Sequence, residues 1–221
     1  DDGVPGDWHR MHLGQLACSG AGLLIVEATA VSAGGRITPG CLGLWRDDQA
    51  EALAAILRSL RAWSAMPVAV QLSHAGRKAS SAAPWHGGRL IAPADGGWTP
   101  QAPSPLPQAG DEPPPAALLA ADLARIRQDF VDAARRAVAA GAQAIELHAA
   151  HGYLLHQFLS PLANRRDDDY GGSLENRMRF PLEVFDAVHA AVKVPVWVRV
   201  SATDWVDGGW DVEHGIAFGR A

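Results

Sequence analysis

Apolar residues in this chain of 221 residues gather in short unbroken runs, separated by longer stretches with helical spacing. The runs at 23–27, 68–72, 144–148 and 196–200 have the length and continuity of parallel strands buried on both faces. Between them, 48–63, 121–140 and 173–192 read as amphipathic helices. In the second of these, Leu123, Ile126, Phe130, Ala133 and Ala137 fall three or four apart, and Gly141 stands where a C-terminal cap belongs. The order βαβαβαβ predicts an α/β fold with a parallel sheet. Pro181 interrupts the third helical pattern, at a cost of roughly 3 kcal/mol if unrelieved, so a kink or two abutting helices is expected there. Residues 216–221 read as the start of a further helix.

Residues 84–115 break the alternation. They hold nine of the fifteen prolines and show no periodicity. An excursion of that length between two strands is expected to form a lid or capping subdomain, a disordered insertion being the alternative. Composition narrows the class further: 48% hydrophobic and 19% charged residues suit an ordinary globular domain. The net charge of -5 and the lack of a basic run argue against nucleic acid as a partner. No run approaches the ~18 apolar residues that span a bilayer, so no membrane association is expected. Cys18 and Cys41 form no Cys-x-x-Cys pair, which suits a reducing cytoplasm. The sequence opens on Asp1 and leaves a preceding targeting segment open.

Chemistry concentrates where the third apolar run ends, in Ala144-Ile145-Glu146-Leu147-His148-Ala149-Ala150-His151-Gly152-Tyr153. In a parallel barrel the C-terminal ends of the strands carry the active site. Two histidines and a tyrosine within six residues there suit proton transfer or the holding of a developing oxyanion. Hydrogen-bonded loop histidines are one alternative, and a metal-binding His-x-x-His pair is another. The zincin spacing differs, and no cysteine lies close enough to complete a structural zinc site.

The block from His148 to Pro161, with Asn164, Arg166, Asp168, Tyr170-Gly171-Gly172-Ser173 and Asn176-Arg177-Met178-Arg179-Phe180, resembles the signature of the Old Yellow Enzyme family. Gly22-Leu23-Leu24-Ile25-Val26-Glu27-Ala28-Thr29-Ala30, Gly35-Arg36-Ile37-Thr38 and Gln71-Leu72-Ser73-His74-Ala75-Gly76-Arg77-Lys78-Ala79 extend the likeness, the last toward the bacterial NADPH-dependent ene-reductases and xenobiotic reductases. The resemblance implies a (β/α)8 TIM barrel in which residues 1–221 are a partial FMN-binding domain covering roughly strands 2 to 5, with 84–115 as a capping insertion. The first strand and the last three would then lie outside the sequence given.

It also implies roles. His148 and His151 would hold the substrate oxygen and Tyr153 would donate a proton. Gln71 would meet the flavin pyrimidine edge, Arg199 would place a cation near N1 and O2, and Ala28 would let the ring approach closely. An arginine ending an apolar strand also resists explanation as core, because a buried unpaired guanidinium is costly. His74 and Arg77 read as loop-fixing groups, Asp167 to Asp169 as a loop salt-bridged to Arg165 and Arg166, and Trp45 as a pocket wall or a packing residue. The implied activity is reduction of the activated C=C bond of an enone, with FMN as bound cofactor and NADPH as co-substrate, by a cytoplasmic enzyme for which a homo-oligomer is left open. A metal-dependent barrel hydrolase using His148 and His151, and a non-catalytic barrel fragment, are the alternatives. Cys18 and Cys41 do not stand where this branch carries its flavin-tuning cysteine.

Overall fold

The computed structural model describes residues 2–221. In chain order the elements are α1 (Asp7–Ala17), β1 (Leu24–Ala30), α2 (Asp47–Arg61), β2 (Val68–Ser73), β3 (Gln101–Ala102), β4 (Ala116–Ala117), α3 (Ala120–Ala139), β5 (Ala144–Ala149), α4 (Leu154–Leu159), α5 (Leu174–Ala191), β6 (Val196–Val200) and α6 (Val212–Arg220). Four strands form one parallel sheet in the order β1-β2-β5-β6. This is the arrangement of consecutive βα units in a barrel, where each crossover helix packs back on its own strands.

All six residues of β2 and of β5 are buried, as their apolar runs predict. β1 and β6 depart from that expectation. In β1, Leu24 and Val26 are buried while Ile25 and Glu27 are exposed, and β6 is half-buried to exposed throughout. Both stand at the edges of the sheet, so each lacks cover on one side. A register shift between Val26 and Thr29 interrupts the β1–β2 ladder and puts Ala28 in the irregular stretch.

Each crossover helix buries a stripe against the sheet: Leu53, Ile56 and Leu57 of α2, Leu123, Ile126 and Phe130 of α3, and Phe180, Val184 and Val188 of α5. Helix α5 begins where the Ser173 side chain accepts from the Asn176 N–H at 3.2 Å, a side-chain cap for an otherwise orphaned donor. It then continues through Pro181 as one helix rather than two. The imino ring supplies no donor for the Arg177 carbonyl, but Phe180 beside it is fully buried and packs on Phe158 at 4.6 Å between ring centroids. Tertiary burial on that scale outweighs the local cost.

The proline-rich excursion is irregular but tied down. Ser80 Oγ donates to the Ile91 carbonyl at 2.9 Å and accepts from the Trp98 N–H at 2.8 Å. The Trp98 indole donates to the Gly34 carbonyl at 3.0 Å, and the Arg36 guanidinium lies 4.7 Å from the Trp98 ring centroid. Arg166 Nη1 donates to the carbonyls of Pro103 and Leu118 at 3.0 and 2.7 Å. Strand β3 within it pairs in parallel with β4, which directly follows the excursion. An unstructured insertion is not what these contacts describe.

Candidate active site

Pleating decides which side chains meet at the C-terminal ends of the strands. In parallel register, Gln71 lies beside Glu146, Glu146 beside Trp197, and His148 beside Arg199. These residues alternate with the apolar ones that face the helices, so they share the other face of the sheet. Glu146 is buried there and accepts from the Trp197 indole at 2.8 Å and from the Gln71 amide nitrogen. That contact fixes the amide: its nitrogen is committed to the carboxylate, and its carbonyl oxygen remains as the free acceptor.

His148 is the penultimate residue of β5, and its ring is buried. Its Nδ1 accepts the Ala150 N–H at 3.2 Å, so the neutral ring carries its proton on Nε2 and presents a donor there. Burial, aided by His151 and Arg199, holds its pKa down at about 4. The chain then reverses through two left-handed residues, His151 with φ 58° and Gly152 with φ 73°. Only this turn brings the rings together: His148 and His151 meet edge-on with centroids 5.0 Å apart, and His148 and Tyr153 at 4.9 Å.

Four polar contacts pin the turn. The His151 N–H donates to Ser201 Oγ at 2.9 Å, and Lys78 Nζ donates to the His151 carbonyl at 2.8 Å. The Gly152 N–H donates to His156 Nδ1 at 2.8 Å, and Gln157 Nε2 donates to the Gly152 carbonyl at 2.6 Å. His156 in turn lies with Nε2 3.1 Å from an Asp204 oxygen, without the alignment of a hydrogen bond. The other oxygen of Asp204 accepts from Ser160 Oγ at 2.6 Å and from the Trp210 N–H at 2.8 Å. Burial, then the Arg199 and Lys78 charges, lowers the His151 pKa, while burial raises that of the Tyr153 phenol. Both imidazoles are therefore neutral donors near pH 7, and the phenol keeps its proton.

The three residues singled out as catalytic thus converge. Gln71 shares their face, and Arg199 is in register with His148 on the neighbouring strand. Ala28 is half-buried in the β1 irregularity. Arg199 is exposed at the sheet edge rather than buried, and it makes no ion pair among the described residues.

His74 behaves as the loop-fixing group foreseen, with Nδ1 accepting the Gly76 N–H at 3.1 Å. Arg166 pairs with Asp168 in the acidic loop. Trp45 packs between the Arg36 and Arg46 guanidinium groups, 5.2 and 5.7 Å from its centroid, and a Cβ on Gly43 would overlap its ring. Its ring is thus packed into the loop after β1. Lys78, Glu146, Ser201 and the His156–Asp204 pair escape a reading of the sequence. Only Glu146, a charge inside an apolar strand, carries a local signal.

The profile of the NADH:flavin oxidoreductase / NADH oxidase family matches residues 1–218. The chain is 31% identical, at a TM-score of 0.79, to a solved old yellow enzyme homologue from Zymomonas mobilis, covering 100% of this chain and 61% of that one. The chain belongs to the Old Yellow Enzyme family. A morphinone reductase structure of the same family matches at a TM-score of 0.81 and 35% identity, over 97% of this chain and 58% of that one. Among curated members, an NADH:flavin oxidoreductase of Gibberella zeae is 49% identical over 93% of this chain and 51% of its own length. An NADPH dehydrogenase of Geobacillus thermodenitrificans is 42% identical over 98% of this chain and 59% of its own. The chain thus spans between half and two thirds of the length of these relatives, and its four parallel strands are part of the family's TIM barrel.

Proposed function

We propose that this chain carries the substrate-binding and proton-donating part of an FMN-dependent, NADPH-consuming ene-reductase acting on enones and similar electron-poor alkenes. The convergence of His148, His151 and Tyr153 on one left-handed turn is the observation that carries the reading. FMN, when bound, would accept electrons from NADPH and return a hydride to the alkene carbon β to the carbonyl. The fit of this chain to that cofactor rests on Gln71, whose amide oxygen is left free, on Arg199, whose guanidinium lacks an ion pair, and on small Ala28.

His148 Nε2–H and the His151 ring would donate to the substrate carbonyl oxygen, where charge develops only as the hydride arrives. Tyr153 would then give its proton to the α carbon: its O–H bond breaks, a C–H bond forms, and solvent restores the phenol. Residues 84–115, roped to Gly34 and Arg166, would act as a lid over this end of the sheet. Two unpaired cysteines suit a cytoplasmic enzyme, and a homo-oligomer remains part of the proposal. A metal hydrolase would need a third ligand beside His148 and His151, and no group of three ligand-type side chains gathers among the described residues.

Tyr153→Phe separates the two half-reactions. In stopped flow the variant should accept electrons from NADPH at the wild-type rate and pass them to 2-cyclohexenone slower by ~10²-fold or more. Equal slowing of both steps would make Tyr153 a packing residue.

A further inference from the structure

Lys78 stands in the 3-10 turn Gly76–Lys78 that follows β2, brought to the Tyr153 turn by the parallel pairing of β2 with β5. Its Nζ is 2.8 Å from the His151 carbonyl and 5.6 Å from the centroid of the Tyr153 ring. The side chain is half-buried, and no carboxylate lies within ion-pair distance of it among the described residues. A neutral donor would hold the His151 carbonyl equally well. The charge is therefore unexplained by the hydrogen bond, and a partly desolvated ammonium without a counter-ion is a cost that needs a return.

We propose that the Lys78 ammonium is the electrostatic partner of Tyr153, a positioning residue that steadies the phenolate left when the phenol gives its proton to the substrate carbon. This rests on the proton-donor reading of Tyr153 given above. Around the pair lie Arg77, His151, His156 and Arg199, with the Cys41 thiol near the phenol and Asp204 beyond His156. None of these is a cation placed over the Tyr153 ring. Burial, then Arg77, lowers the Lys78 pKa, and burial, then Cys41, raises that of the phenol; the Lys78 ammonium is the cation that lies over the Tyr153 ring.

Lys78→Gln keeps a hydrogen-bond donor and deletes the charge, whereas Lys78→Arg keeps both. In the FMN-loaded enzyme, reoxidation of the reduced flavin by 2-cyclohexenone should slow on the order of 10-fold at pH 7 in Lys78→Gln and recover in Lys78→Arg. The basic limb of its pH profile should move up by about one unit in Lys78→Gln, since removing a neighbouring cation disfavours the phenolate. Flavin reduction by NADPH should not change in either. Should FMN be lost, ultraviolet titration of the Tyr153 phenol, corrected with Tyr153→Phe, should still find it ionising about one unit lower in Lys78→Arg than in Lys78→Gln. A Lys78→Gln enzyme with wild-type rate and limb, or equal phenol titrations in the two variants, overturns the proposal and leaves Lys78 a pin for the turn. If instead Tyr153→Phe reduces the alkene normally, the proton-donor reading itself has failed.

Discussion

Two buried histidines, His74 and His148, play the same structural part at the ends of neighbouring strands. Each takes the N–H two residues on into its Nδ1, and burial drives the pKa of His74 to about 3 and of His148 to about 4. In the unfolded chain both titrate near 6.5, so above that pH neither state binds the proton and the rings leave stability unchanged. As pH falls from 6.5 toward 4 the unfolded chain takes up protons that the fold refuses. Stability should then drop by up to ~1.4 kcal/mol per pH unit for each ring. Urea midpoints should be flat from pH 8 to 7 and fall steadily below 6.5, with a shallower fall in His74→Asn, which keeps an acceptor but cannot titrate. Equal slopes in wild type and variant would mean that His74 is accessible to protons. The sequence offers no way to tell these two histidines apart by local pattern, since both follow an apolar run and precede alanine. Resemblance separated them, and the structure supplies the reason: His148 has His151 and Tyr153 against it, whereas His74 caps a loop.

The turn between β5 and α4 shows what an element adds to its residues. A Cβ on Gly152 would need φ +73° and would stand 3.2 Å from Lys78 Nζ and Cε. Gly152→Ala should therefore cost about 1 kcal/mol or more in stability and weaken p-hydroxybenzaldehyde binding several-fold, because the strained turn aims both His151 and Tyr153. Unchanged unfolding midpoint and affinity would show that the turn tolerates a side chain and does not aim the rings. Strands and crossover helices were legible because they repeat one apolar pattern. Helix α1 was not, since it buries only Leu13 and Ala17 and so offers no continuous stripe. Of the two outcomes expected at Pro181, the split into two helices is not what forms, because the rule is local and Phe180, Val184 and Val188 anchor α5 on both sides of it.

Across the whole molecule, parallel strands send every functional side chain to one end, and the long segment 84–115 reaches that same end through Trp98 and Pro103. The location of the site follows from topology alone, so it was readable from the order of the elements. The pairings that tune it were not, because Gln71 with Glu146 and Lys78 with His151 join residues more than seventy positions apart. The proposed function has this assembly pass electrons from NADPH through FMN to an activated alkene. It is tested most directly by anaerobic stopped-flow absorbance of the FMN-loaded enzyme. Flavin absorbance should bleach on mixing with NADPH and return on mixing with 2-cyclohexenone, with one cyclohexanone formed per flavin reoxidised. Bleaching that persists in the presence of the enone, with no cyclohexanone formed, would contradict it.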